Sequence, residues 1–130
     1  MTGPNRYRLA MPWVDVVSSD ELTPGGRLTV ELADRDVVVW RTVSGRVSAC
    51  DARCPHQWAH LGSAGVVDGE VLVCLSHAWC FDTDGAGFKL SASGRRDEKS
   101  PVSMVGVRVE GGRIELDVDG GVIRVEVHAP

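Results

Sequence analysis

No stretch of this chain approaches the ~20 consecutive apolar residues that a membrane-spanning helix needs, so no membrane partner is expected. An excess of positive charge is missing too. Fourteen Lys and Arg stand against eighteen Asp and Glu, a formal net charge of −4. That balance argues against a nucleic-acid binder, whose grip on phosphates depends on a clustered basic face. The opening residues, Met1 to Arg8, hold neither a twin arginine nor the apolar core of an export signal, so the cytoplasm is the expected compartment. Nor does any segment of ten or more residues keep an i, i+3, i+4, i+7 apolar stripe, which leaves room for one helical turn at most, at Asp20-Glu21-Leu22. There is no internal repeat and no low-complexity linker. With 130 residues, 43% apolar and 25% charged, the chain is expected to form a single domain over residues 1–130.

What is present reads as β-structure. Leu28, Val30 and Leu32 alternate with Thr29 and Glu31, the period of a half-buried strand. Val37-Val38-Val39-Trp40 is a continuous apolar run rich in β-branched residues, which fits a strand covered on both faces. Ala33 to Asp36 precedes it and Ser44-Gly45 follows it, and both read as hairpin turns. Val71-Leu72-Val73 is a further strand. Later, Val105, Val107 and Val109, then Ile114, Leu116 and Val118, then Ile123, Val125 and Val127 each alternate with polar residues or Gly. Gly111-Gly112 and Gly120-Gly121 separate these runs and predict two hairpins. The polar stretch from Ser91 to Pro101 reads as an exposed loop. The expectation is an all-β fold, an antiparallel sandwich or partly open barrel of about eight to ten strands.

Chemistry is concentrated in one window. Four Cys (Cys50, Cys54, Cys74, Cys80) and four His (His56, His60, His77, His128) are present, and seven of the eight lie between residues 50 and 80. Even scattering would put about two there, so in a reducing compartment the window reads as metal or redox chemistry before it reads as disulfides. Two pairs stand out, Cys54-Pro55-His56 and Cys74-Leu75-Ser76-His77, with 17 residues between His56 and Cys74. On two loops at adjacent hairpin tips, each pair offers one sulfur and one nitrogen. The resulting S2N2 set suits zinc or an iron–sulfur centre, and it suits the hard cations magnesium and calcium poorly.

Spacing separates these readings. Zinc fingers of the Cys2His2 type pair Cys with Cys and His with His, whereas each half here pairs Cys with His. The pattern resembles the Rieske family, C-x-H followed after about 15 to 17 residues by C-x2-H around a 2Fe–2S cluster. The resemblance extends over roughly residues 13 to 118. It includes Val37 to Trp40, the Ser44-Gly45 turn, Val47 to Ala52, Leu61-Gly62, and Trp79, Phe81, Asp82 and Gly85. It implies one 2Fe–2S cluster in a subdomain of about residues 50–90, with Cys54 and Cys74 on one iron and His56 and His77 on the other. Two positions depart from the family's second loop, Cys-Pro-x-His-Gly-Trp: Leu75 replaces Pro and Ala78 replaces Gly. Ala lacks the conformational freedom of Gly, so the departure bears on the path of that loop.

The resemblance also bears on potential. Respiratory Rieske proteins brace the two loops with a disulfide, at positions held here by Ala59 and Ser76. They also direct Ser and Tyr hydroxyls to the cluster and ligand sulfur, where this chain has Trp79 and Phe81. Without these donors the cluster is expected toward the low end of the family's span of roughly −150 to +300 mV. That implies a Rieske-type ferredoxin, passing single electrons from a flavin-containing reductase to a terminal oxygenase, and not itself an enzyme. With two thiolates the oxidised site is neutral and reduction leaves −1. Imidazoles near the surface would then couple the electron to a proton. The alternatives are an accessory subunit of a larger redox enzyme, with the cluster as a fixed relay, and a structural zinc domain. A docking strand for such a parent enzyme is expected within Val122 to Pro130.

The remaining candidates have plainer expectations. Cys50 reads as a small buried hydrophobe on a strand and Cys80 as packing near the second loop. His60 reads as solvated or partner-facing, and His128 as tail. Trp58 and Trp79 each read as flanking the cluster, capping the core, or both, with packing the leaning for Trp79 and a docking surface an equal option for Trp58. Pro101 corresponds to a proline loop covering the cluster from a third side.

Overall fold

The computed structural model describes residues 13–56 and 59–128. Within them twelve strands form three antiparallel sheets. The first sheet joins β1 (Val14–Ser18), β11 (Arg113–Asp117) and β10 (Gly106–Glu110), in that order. The second has the order β12 (Arg124–His128), β2 (Arg27–Glu31), β3 (Asp36–Arg41), β4 (Val47–Asp51). The third is a meander of β5 (Gly65–Asp68), β6 (Val71–Cys74), β7 (Trp79–Phe81), β8 (Gly87–Leu90) and β9 (Arg96–Lys99). None of them closes into a barrel. A single 3-10 turn over Ser19–Glu21 follows β1, with the Ser18 hydroxyl accepting from the Asp20 N–H. No helix among the described residues is long and apolar enough to cross a membrane.

The second sheet is a wall shared by two cores, and β3 shows why. Successive strand side chains point to opposite faces. Val37 and Val39 enter one core with Leu28, Val30 and Ala49, against Ile114 and Leu116 of β11. Val38 and Trp40 enter the other, with Cys50, Leu61, Leu72, Phe81, Cys54 and Cys74. All four side chains from Val37 to Trp40 are within 1% of complete burial. At roughly 1.5–3 kcal/mol for each large apolar side chain, this strand ties the scaffold to the sheet that carries the second Cys-His pair.

Four expectations need correction. β2 is not half-buried, for Arg27 and Thr29 are both buried. Their face of the sheet lies under the segment around Gly62, whose carbonyl accepts from Arg27 Nε at 2.8 Å. Gly62 is required there, because a Cβ would strike the Thr29 hydroxyl. The polar stretch after Ser91 is not all loop, since Arg96–Lys99 forms β9 on the sheet edge. Charged residues suit an edge, where they oppose pairing with another chain. Gly111-Gly112 does turn β10 into β11, but Gly120-Gly121 makes no hairpin. Both flanks of β11 are already taken, by β1 and β10, so β12 crosses to β2 in the second sheet. Twelve strands, finally, exceed the eight to ten expected, partly because β9 and the short β7 carry no apolar alternation long enough to register.

Candidate metal centre

Backbone bonds close the first loop at its neck. The N–H of Cys54 donates to the Ala59 carbonyl at 2.8 Å, that of Leu61 donates to Ala52 at 2.6 Å, and Arg53 bridges to His60. The second loop is the turn from β6 to β7, where Cys74 and Trp79 are opposite residues of the ladder. The Ala78 N–H donates to the Cys74 carbonyl at 2.8 Å, and Leu75 donates to Ala64, tying this loop to the segment after the first. Ala78 has φ +61°, a left-handed conformation that Ala rarely adopts. Ala78 thus holds a backbone conformation that a glycine, the family's residue at this place, would adopt without strain.

The four side chains divide by depth. Cys54 and Cys74 are buried in one apolar cluster with Trp40, Leu61, Leu72 and Phe81. His77 is exposed and His56 half-buried. The two imidazoles meet edge to face with centroids 4.6 Å apart. Trp79 stacks on His56, at 4.5 Å between centroids and 22° between planes. Burial, the neighbouring His77 and the charges of Lys89 and Lys99 together lower the pKa of His56. Its Nδ1 is buried with no hydrogen-bond partner. An unpaired buried nitrogen is costly, and lone-pair donation to a metal removes that cost. Two buried sulfurs and two imidazoles at the open end fit the donor chemistry of a Rieske cluster.

Outside these four, the structure sorts the expectations. Cys50 lies on β4, buried, and its thiol is pushed up to about 12 by burial first, then by Asp51 and Cys54. Cys80 is buried on β7, donates weakly to the Ala78 carbonyl, and burial raises its pKa as well. All four cysteines are outside any disulfide. Pro101 borders one cleft with Cys54 and Pro55 and another with Trp79. Trp58 lies outside the described residues. Trp79, two positions after the second His, stacks on His56 and also packs against the core cluster, in keeping with both roles expected for it.

His60 is more than solvated, for its side chain, 37% exposed, is held by two partners. Its Nε2 lies 2.9 Å from Asp36 Oδ2, and its Nδ1 accepts from the Gly62 N–H at 3.0 Å. His128 is not tail but the last residue of β12, 2.6 Å from the Thr29 hydroxyl. Sequence spacing gave no sign of either, since their partners come from distant strands. His60, His128 and Asp36 line one cleft of about 320 Å³ with Glu31 and Glu126. Two imidazoles and a carboxylate are the composition of a mononuclear iron site, but both His60 nitrogens are already in use. No group of three or more such side chains among the described residues is arranged to hold a single ion.

Comparison with known proteins gives the class. The Rieske [2Fe–2S] domain family matches residues 12–118, and the chain belongs to that family. Its cofactor is accordingly a Rieske-type 2Fe–2S cluster. The chain is similar to cholesterol 7-desaturase of Ciona intestinalis, 38% identical over 73 residues, which are 56% of this chain and 16% of that protein. It thus spans only a small part of such curated relatives. The ferredoxin component of the alkene monooxygenase system of Xanthobacter autotrophicus is matched along its length, 28% identical over 116 residues and 89% of each chain. Among solved structures, the ferredoxin of carbazole 1,9a-dioxygenase from Nocardioides aromaticivorans is similar with a TM-score of 0.67 and 28% identity, over 82% of this chain and 97% of that one.

Proposed function

We propose that Cys54 and Cys74 bind one iron of the cluster and His56 and His77 the other. In this reading the protein is a low-potential, one-electron carrier between a flavin-containing reductase and a terminal oxygenase in the cytoplasm. The observation that carries the ligand set is the pair of imidazoles 4.6 Å apart, one with a buried, unpartnered Nδ1, on the same two loops as two buried cysteines. When bound, the cluster supplies reversible uptake of a single electron. The apolar packing of Cys54 and Cys74 keeps water from the sulfurs. Trp79 fixes the His56 ring plane by stacking. Trp79 and Phe81 offer no hydroxyl to sulfur, which favours the low end of the family's potentials.

The end-to-end likeness to two oxygenase-system ferredoxins supports a carrier, with no catalytic residue of its own. A fixed relay within a larger enzyme is the second reading, favoured by Leu75, which is 62% exposed in the second loop. A structural zinc ion is the third reading; against it stands the pairing of Cys with His in each loop, where zinc fingers of the Cys2His2 type pair like with like. Electron paramagnetic resonance of anaerobically purified, dithionite-reduced protein tests the reading. A mixed-valence signal of low average g is expected. A silent, colourless protein with stoichiometric zinc would end it.

A further inference from the structure

The chain has twelve arginines but only two lysines, Lys89 and Lys99, and the fold brings both to one shoulder of the candidate centre. In the β8–β9 ladder Lys89 pairs with Asp97, and Lys99 pairs with Gly87. Alternation puts both lysines on the same face of the sheet. Gly87 is in turn opposite Phe81, so Trp79, two residues before Phe81, shares that face. The Lys99 ammonium lies 5.9 Å from the centroid of the Trp79 ring, which stacks on His56. Both lysine charges reach His56.

The other cations of this hairpin are engaged. Arg96 bonds Asp82 at 3.1 Å and covers the Phe88 ring, while Arg95 holds Asp97 at 3.2 Å. Glu98 is the remaining anion, on the rim of the cleft that Trp79 and Lys99 share. From Gly87 to Lys99 there are four cationic and two anionic residues, a local +2 within a chain of −4. The rest of the molecule therefore carries −6. Charge of the minority sign has been placed at one edge of the site.

We propose that this Trp79–Lys89–Lys99 shoulder is a docking surface for a redox partner with an acidic face, and that electrons cross there. The proposal rests on the carrier reading above. Its physical basis is local. At physiological salt, fields are screened within about 8 Å, so an approaching partner feels the nearest charges more than the net charge. Opposite charge on the partner then steers encounter and fixes orientation.

Stopped-flow oxidation of the reduced, cluster-loaded protein by ferricyanide tests this. Ferricyanide is a trianion, and a molecule acting through its net negative charge would repel it, so added salt would speed the reaction. A basic exit surface predicts the reverse, a rate falling several-fold between low and physiological salt. Lys89→Glu with Lys99→Glu should invert that dependence, and Lys89→Gln with Lys99→Gln should flatten it. Arg108→Glu with Arg124→Glu, which changes net charge equally on other sheets, should leave it unchanged. A wild-type rate that rises with salt overturns the proposal, as does an equal response from the arginine variant. Either result in a protein with intact cluster absorption leaves the carrier reading standing. A protein that binds no cluster removes that reading and this proposal together.

Discussion

Ala78 holds a left-handed backbone, φ +61°, immediately after His77. A side chain there crowds its own carbonyl, at a cost of roughly 1–2 kcal/mol, and the hydrogen bond from its N–H to Cys74 holds it in place. Glycine relieves the strain but widens the unfolded ensemble. The expected net effect of Ala78→Gly is a gain of about 1 kcal/mol, read as a higher denaturant midpoint at constant slope. An unchanged or lower midpoint would show that the loop is not strained. The cysteines make a second comparison at this scale. Cys50 is buried in β4 and its thiol is held in the protonated form, up at about 12, a state that binds metal poorly. Cys50→Ala should keep the red-brown 2Fe–2S absorption, and Cys74→Ala should abolish it. Loss of colour in both, with both folded by circular dichroism, would redraw the ligand set.

β12 matters at the scale of elements because its last residue joins the scaffold to the segment after the first loop. His128 bonds Thr29, beside Gly62, and Arg27 holds the Gly62 carbonyl. Burial, then the Arg27 guanidinium, lowers the pKa of His128, with His60 adding to the effect and Glu126 opposing it. A histidine with a lowered pKa in the fold favours the neutral form there. Its contribution to stability is therefore complete above the ordinary value of about 6.5 and is lost as pH falls below it. The melting temperature should drop between pH 7.5 and 5.5, and His128→Gln should reduce that drop. Equal drops in the two proteins would assign the acid sensitivity elsewhere.

For the molecule as a whole, the arrangement is a burial gradient. Thiols lie at its closed end, and imidazoles at its open end, His77 exposed and His56 half so. Charge added on reduction would be felt at rings that water can reach, so electron and proton uptake should be linked in alkaline solution. The midpoint potential is expected to fall by about 59 mV per pH unit there, the slope for one proton per electron. A midpoint flat to strongly alkaline pH, measured by protein-film voltammetry, would refute the link. At that open end Lys99 lies over the Trp79 ring, and the charges of Lys89 and Lys99 reach His56.

The Cys-x-His and Cys-x2-His spacings, the β-branched run at Val37 and the glycine turns are local properties. They were sufficient for the all-β class and for the Rieske resemblance, since strand period and ligand spacing are written in neighbouring residues. The roles of His60, His128 and Thr29, and the ring that Trp79 covers, were not legible, because each depends on a partner brought from elsewhere in the chain: Asp36, Thr29, Gly62 and His56. So does the course of β12, which follows from β11 having no vacant edge, a fact about a sheet and not about any segment. Sequence alone singled out the Cys and His residues proposed to hold the cluster. Tertiary packing decided how deep each one lies and which charges stand beside it, because depth and proximity are relations between segments far apart along the chain.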